Sequence, residues 1–189
     1  MLNLDRKMNR HSTLLCLCGL SMALLLSACS PKPEVPEISP KESIDPSDDL
    51  KAKIQAKEIK RFPSSDNDAH DITLLNSYQS NFDQVSQALD DDLQNLAVQG
   101  NLSAEMSNHR KRDLIQSSLN MLKDLDLKTA QGRYIQGLLY QYWENQANVY
   151  DELGQSANNE LQNPTDAVEG MGDYYTALAQ LQHWQTTLP

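Results

Sequence analysis

Seven apolar residues constrain this chain more than any other feature. Leu75, Tyr78, Phe82, Val85, Leu89, Leu93 and Leu96 follow one another at steps of three and four. Those steps keep every member on one face of an α-helix, whereas a strand would scatter them over both sides of a sheet. Gly100 and Asn101 stop this helix. A second is predicted from Ser103, with Leu114, Ser118, Met121 and Leu125 on one face and Ile115, Leu119 and Leu122 beside them. Asp124 and Asp126 mark a short break before a third helix, whose stripe is Ile135, Leu138, Tyr142, Val149 and Leu153. Residues 156–164, SANNELQNP, are a loop by composition. A last helix is predicted from Pro164, with Asp166 and Glu169 at capping-box spacing and Met171, Tyr174, Leu178, Leu181 and Leu188 along its face. Gly170 and Gly172 weaken its first turns. No alternation of period two marks a strand. The expected fold is all-α: an antiparallel up-down four-helix bundle over residues 66–189.

Ahead of the bundle, Asp48 to Phe62 (DDLKAKIQAKEIKRF) places acids first and bases last, which suits a helix dipole. Ser47 is a plausible cap and Pro63 a natural stop. The segment is expected to be a short amphipathic helix over 48–62, thinly apolar (Leu50, Ile54, Ile59, Phe62) and solvated. Its bases Lys51, Lys53, Lys57, Lys60 and Arg61 offer an alternative rest on anionic lipid. Five of the eight prolines stand at 31, 33, 36, 40 and 46. Proline fixes φ and removes a backbone donor, so this stretch reads as an unpacked tether able to reach roughly 50 Å.

The first 28 residues have three parts. Arg6, Lys7 and Arg10 make a positive leader, Leu14 to Leu26 is an apolar run of 13 residues broken by Ser21, and Ser27 and Ala28 precede Cys29. Thirteen is too few for a membrane span, which needs roughly 20, but it suits a secretory signal. Leu26-Ser27-Ala28-Cys29 resembles the lipobox of bacterial lipoprotein precursors. The resemblance covers only this segment. It implies removal of residues 1–28 and a diacylglyceryl group on Cys29, whose two acyl chains anchor stably where one chain would not. With Ser30 rather than Asp after the cysteine, it implies transfer to the outer membrane, with the domain facing the periplasm. Residues 29–47 then form the lipidated tether. Cys16 and Cys18 fall in the removed part, so the expected mature domain has no thiol, disulfide or thiolate ligand.

Removing Asp5, Arg6, Lys7 and Arg10 from 26 acidic and 16 basic residues leaves 25 and 13, a formal charge of −12. Polyanion binders show the opposite balance, so nucleic acid is not an expected partner. An acidic surface suits basic partners or simple solubility.

Motifs for chemistry are sparse. His70, His109 and His183 lie on different predicted helices with no ligand spacing, so no metal, haem or other cofactor is expected. No nucleophile frame or phosphate loop occurs. Asp90-Asp91-Asp92 are consecutive in a helical pattern and point apart, which suits a solvated face better than calcium. The chain is therefore read as not an enzyme.

Two features rise above this background. Arg110, Lys111 and Arg112, next to His109, form the one dense basic patch of the domain. They are candidates for anion binding, with pairing to neighbouring acids as the alternative. After Arg133 there is no Lys or Arg, while seven acids and eight of the eleven aromatic residues occur. On the third helix Tyr140, Trp143, Ala147 and Tyr150 make a second stripe, about 120° from the first. Either this helix is central and the short first helix or the tether covers that stripe, or Tyr140, Trp143 and Tyr150, with Glu144 and Asp151, form an acid-rimmed aromatic patch for a partner. The expected function is a lipid-anchored, non-enzymatic protein-binding module of an envelope assembly. The alternatives are an inhibitor or immunity protein neutralising a basic enzyme or toxin, and an envelope enzyme or small-ligand carrier.

Overall fold

A computed structural model describes residues 46–158 and 160–188. The signal segment, Cys29 and nearly all of the tether lie outside the described residues. Those described belong to one unit, Glu42–Pro189. They are all-helical, with no strand: α1 is Pro46–Ile54, α2 Asp68–Val98, α3 Ala104–Lys123, α4 Ala130–Gln155 and α5 Met171–Thr187. A single 3-10 turn, Pro164–Val168, precedes α5. Among the described residues no helix is long and apolar enough to cross a membrane.

Local chemistry explains the boundaries. Gly100 takes a positive φ of 71° after α2, where Gly100 N–H donates to Ala97 O and Asn101 N–H to Leu96 O. This is the glycine-dependent closure that satisfies orphan carbonyls at a helix end. Ser103 caps α3 by accepting from Met106 N–H at 3.1 Å, and Thr129 caps α4 by accepting from Gly132 N–H at 2.8 Å.

Two expected elements differ. The first helix ends at Ile54, and residues 55–64 run without regular structure. Along part of this stretch the backbone finds partners in α5 side chains, which compete with the helical ladder. The last helix starts at Met171 rather than near Pro164. Gly170 sits at φ 80°, a left-handed residue that interrupts any helix from Pro164. Asp166 and Glu169 form no capping box; both instead pair with Lys53.

Helix α4 is central, packing against α2, α3, α5 and the 3-10 turn. The core contains Ile72, Leu75 and Tyr78 of α2, Ile115, Leu119 and Leu122 of α3, Ile135, Leu138, Leu139, Trp143 and Ala147 of α4, and Ala177, Leu181 and Trp184 of α5. The stripe on α2 is only partly used: Leu75, Tyr78 and Leu93 are buried, while Val85 is 48% exposed.

Polar groups inside are fully committed. Tyr78 Oη lies 2.7 Å from Ser118 Oγ and accepts from Trp143 Nε1 at 2.7 Å, tying three helices together at one hydroxyl. Burial pushes the Tyr78 phenol up to about 12, against the pull of those two hydrogen bonds. Asp71, fully buried, accepts from Lys128 N–H at 3.0 Å and from Thr129 N–H and Oγ1 at 2.8 and 2.7 Å. This carboxylate joins the start of α2 to the start of α4. Burial by itself would raise its pKa, but the donors outweigh burial and hold it below the ordinary carboxylate value. Gly132 is required beside it, since a Cβ there would stand 2.5 Å from Asp71 Oδ2.

Candidate functional site

The residues expected to form an aromatic patch do not share a surface. Trp143 is 8% exposed and lies in the core, its indole spent on Tyr78. Tyr140 is half-buried, with Lys123 Nζ of α3 at 5.5 Å from its ring centroid. Tyr150 is half-buried against the core, Glu144 is exposed, and Asp151 is held by Arg112. The physical reason is the central position of α4. Helices α2 and α3 cover its second stripe, a role the sequence reading gave to the short first helix or the tether.

The basic patch is likewise committed. Arg112 grips Asp151 through Nε at 2.8 Å and Nη2 at 3.2 Å, and Arg110 pairs with Asp92 of α2. Lys111 is half-buried. The two guanidiniums therefore pair with acids of neighbouring helices, the alternative that the sequence offered to anion binding. The fold does bring residues of both candidate groups together: His109, Arg112, Tyr150 and Asp151 line one open cleft of about 500 Å³ between α3 and the end of α4. Its one guanidinium is taken by Asp151, and Glu105 adds a further carboxylate to the lining. Among the described residues no three His, Cys, Asp or Glu side chains gather as a metal site.

A different aromatic arrangement emerges. Phe82 of α2 lies 4.6 Å from Trp143, which lies 4.7 Å from Tyr142; Tyr142 lies 4.8 Å from Tyr174 of α5, which lies 6.0 Å from Tyr175. The row runs from buried Trp143 outward through half-buried Phe82, Tyr142 and Tyr174 to exposed Tyr175. Tilted ring pairs at these separations are favourable beyond their area burial. Desolvation pushes Tyr142 up to about 12, helped by Tyr174, and raises Tyr174, helped by the charge of Asp83. The phenols stay protonated at neutral pH and remain available as donors. Asp83, exposed, stands at the rim.

Beneath the row a void of about 20 Å³ is bordered by Leu75, Tyr78, Phe82, Trp143, Tyr174 and Leu181. That is room for about one water and for no organic ligand. The row is therefore a surface feature with a solid floor.

The aromatic excess after Arg133 is visible in sequence, but which rings align is not. Tyr142 was assigned to the core stripe, and Tyr174 and Phe82 likewise. What sequence lacks is which faces of α2, α4 and α5 meet, since these rings pack partly buried against the core. No family model, curated protein or solved structure matches the chain.

Proposed function

We propose that this chain is a lipid-anchored lipoprotein of the bacterial envelope. In this reading the lipid on Cys29 holds it at the outer membrane, facing the periplasm, with residues 29–47 as the tether. Helices α2 to α5 form an antiparallel up-down bundle that works as a non-enzymatic, protein-binding accessory module. The aromatic row Phe82–Tyr142–Tyr174–Tyr175 with Asp83 is the observation that carries the binding role. Tyrosine supplies a large contact area at low conformational cost and is enriched at binding hot spots. The partner surface is basic, because the expected mature chain carries a formal charge of −12 and exposed Asp83 stands beside the row. Lysine or arginine of the partner would seat over tyrosine faces.

A photo-crosslinking amino acid at Asp83, in the full chain in its native envelope, tests the reading. The expected adduct is to a basic envelope protein, is weakened by salt, and is lost when Phe82→Ala and Tyr175→Ala are combined. Adducts only to acidic proteins, or adducts indifferent to the double variant, would sink it. The second reading, an inhibitor or immunity protein for a basic enzyme or toxin, rests on the same acid excess. It additionally predicts that the captured protein loses an activity when bound. Lipidation has its own check: mass spectrometry of the membrane-extracted chain should find an acylated N-terminal Cys29 and no Met1.

A further inference from the structure

Helix α5 carries a polar row, Gly172, Asp173, Thr176 and Gln180, of which all four are buried. What buries them is the non-helical stretch that follows α1. At Gly172 the end of α1 and the start of that stretch run flush against α5, since a Cβ there would come within 2.7 Å of Gln55 O and 3.1 Å of Lys53 O. Thr176 Oγ1 accepts from Lys57 N–H at 2.8 Å. Gln180 takes both backbone groups of one residue: its Oε1 accepts from Lys60 N–H at 2.9 Å, and its Nε2 donates to Lys60 O at 2.7 Å. Acids then select the side chains. Asp173 receives Lys57 Nζ, and Asp166 and Glu169 receive Lys53 Nζ at 2.7 and 2.9 Å.

This contact resembles recognition of a peptide more than packing of a core. It reads backbone N–H and C=O groups and positive charge. It buries little apolar surface: Ile59 of the overlying stretch remains 38% exposed, and Leu50 and Ile54 of the adjoining α1 39% and 37%. Its ring contacts converge on Tyr134, which Phe62 meets at 5.5 Å and Lys60 Nζ covers at 4.2 Å from the ring centroid. A segment held by hydrogen bonds with few apolar contacts opens at low free-energy cost. Lifting it leaves a polar row that water can satisfy, with the apolar face of α5 still packed in the core.

We propose that the Gly172–Asp173–Thr176–Gln180 row is a binding groove for a non-helical basic segment of a partner protein, and that residues 53–62 fill it in cis as a built-in competitor. The cis occupant defines the ligand. It offers a backbone N–H and C=O pair to Gln180, an N–H three residues earlier to Thr176, and a lysine at that earlier position to Asp173. A tethered occupant competes at an effective concentration on the order of millimolar. A partner segment therefore binds weakly until the strap is displaced. The groove shares α5 with the aromatic row but none of its residues, so the two can fail separately.

The test titrates a labelled peptide with the sequence of residues 51–62, KAKIQAKEIKRF, onto the full chain in detergent by fluorescence anisotropy. Lys60→Pro removes the N–H that Gln180 reads, and Lys57→Glu sets a like charge against Asp173; each loosens the strap and leaves α5 unaltered. Circular dichroism reports retention of the bundle, and hydrogen exchange of the residue 55–62 amides reports strap release. The peptide should bind each strap variant at least about tenfold tighter than the parent chain, because the competent fraction rises. Adding Gln180→Ala to Lys60→Pro should then weaken the peptide by about tenfold, the worth of its paired hydrogen bonds. A peptide with glutamate at the Lys57 and Lys60 positions should not bind. A strap that stays protected in both variants, a released chain that ignores the peptide, or binding unchanged by Gln180→Ala would each overturn the proposal.

Discussion

The two buried sides of α5 are made of opposite materials. One side, Ala177, Leu181 and Trp184, joins the apolar core under α2 and α4. The other, Gly172, Asp173, Thr176 and Gln180, holds a strap by backbone hydrogen bonds and lysine–carboxylate pairs. Both sides exclude water equally well, yet they do not weigh equally. Apolar burial is worth about 25 cal/mol per Å² and cannot be replaced by solvent. A protein hydrogen bond exchanges with water and nets about 1 kcal/mol. Burial alone therefore does not identify what holds the molecule together: the core side sets its stability, and the strap side sets what can open.

Substitutions break this comparison in graded fashion. Trp143→Ala should have the largest effect. It empties a core site and takes the indole donor from Tyr78, at a cost of about 3–5 kcal/mol in denaturant unfolding. A change under about 1 kcal/mol would place Trp143 outside the core. Asp71→Ala comes next at about 2–4 kcal/mol, because the buried Lys128 and Thr129 amides lose a charged acceptor. The same residue predicts a pH dependence. Its folded pKa lies below its unfolded value, so its contribution is fully present above the ordinary carboxylate range and is lost as pH falls through the folded value. Unfolding curves from pH 6 down to about 2 should show Asp71→Asn losing less stability than the parent chain over that fall.

Gly132→Ala should cost roughly 1–3 kcal/mol, since its methyl would press on the Asp71 carboxylate and on Thr129 Oγ1, 3.0 Å away. Gln180→Ala should lower global stability by only about 1 kcal/mol while the strap amides exchange much faster. Equal losses in both readouts would mean the strap is not a separate unit. Arg112→Ala should be the smallest, under about 1 kcal/mol, because the Arg112–Asp151 pair is largely open to solvent.

Much of the helical frame was legible in sequence because its signals are local. The three-and-four stepping of α2, the start of α3 at about Ser103 and the Gly100 stop each depend on residues a few positions apart. The break at Asp124–Asp126 did as well. The capping box at Asp166 failed for a non-local reason: Lys53, more than a hundred residues away, takes both carboxylates. Whether Trp143 is core or surface stayed open in sequence, because a helix wheel shows how wide an apolar arc is, not how many neighbours cover it. Asp71 carries no signal in sequence, since nothing adjacent shows that the Lys128 and Thr129 amides converge on it.

The strap illustrates the division most clearly. Sequence alone determined that residues 48–62 are basic, weakly apolar and bounded by Pro63, and that the region after Arg133 is acidic and aromatic. Both follow from composition, which any conformation carries. Only the tertiary structure decided that Lys57 and Lys60 leave the helical ladder for Thr176 and Gln180, and that Phe82, Tyr142, Tyr174 and Tyr175 align. Backbone partners and ring contacts between distant segments depend on which faces the packed helices bring together, and that is set by the whole core at once.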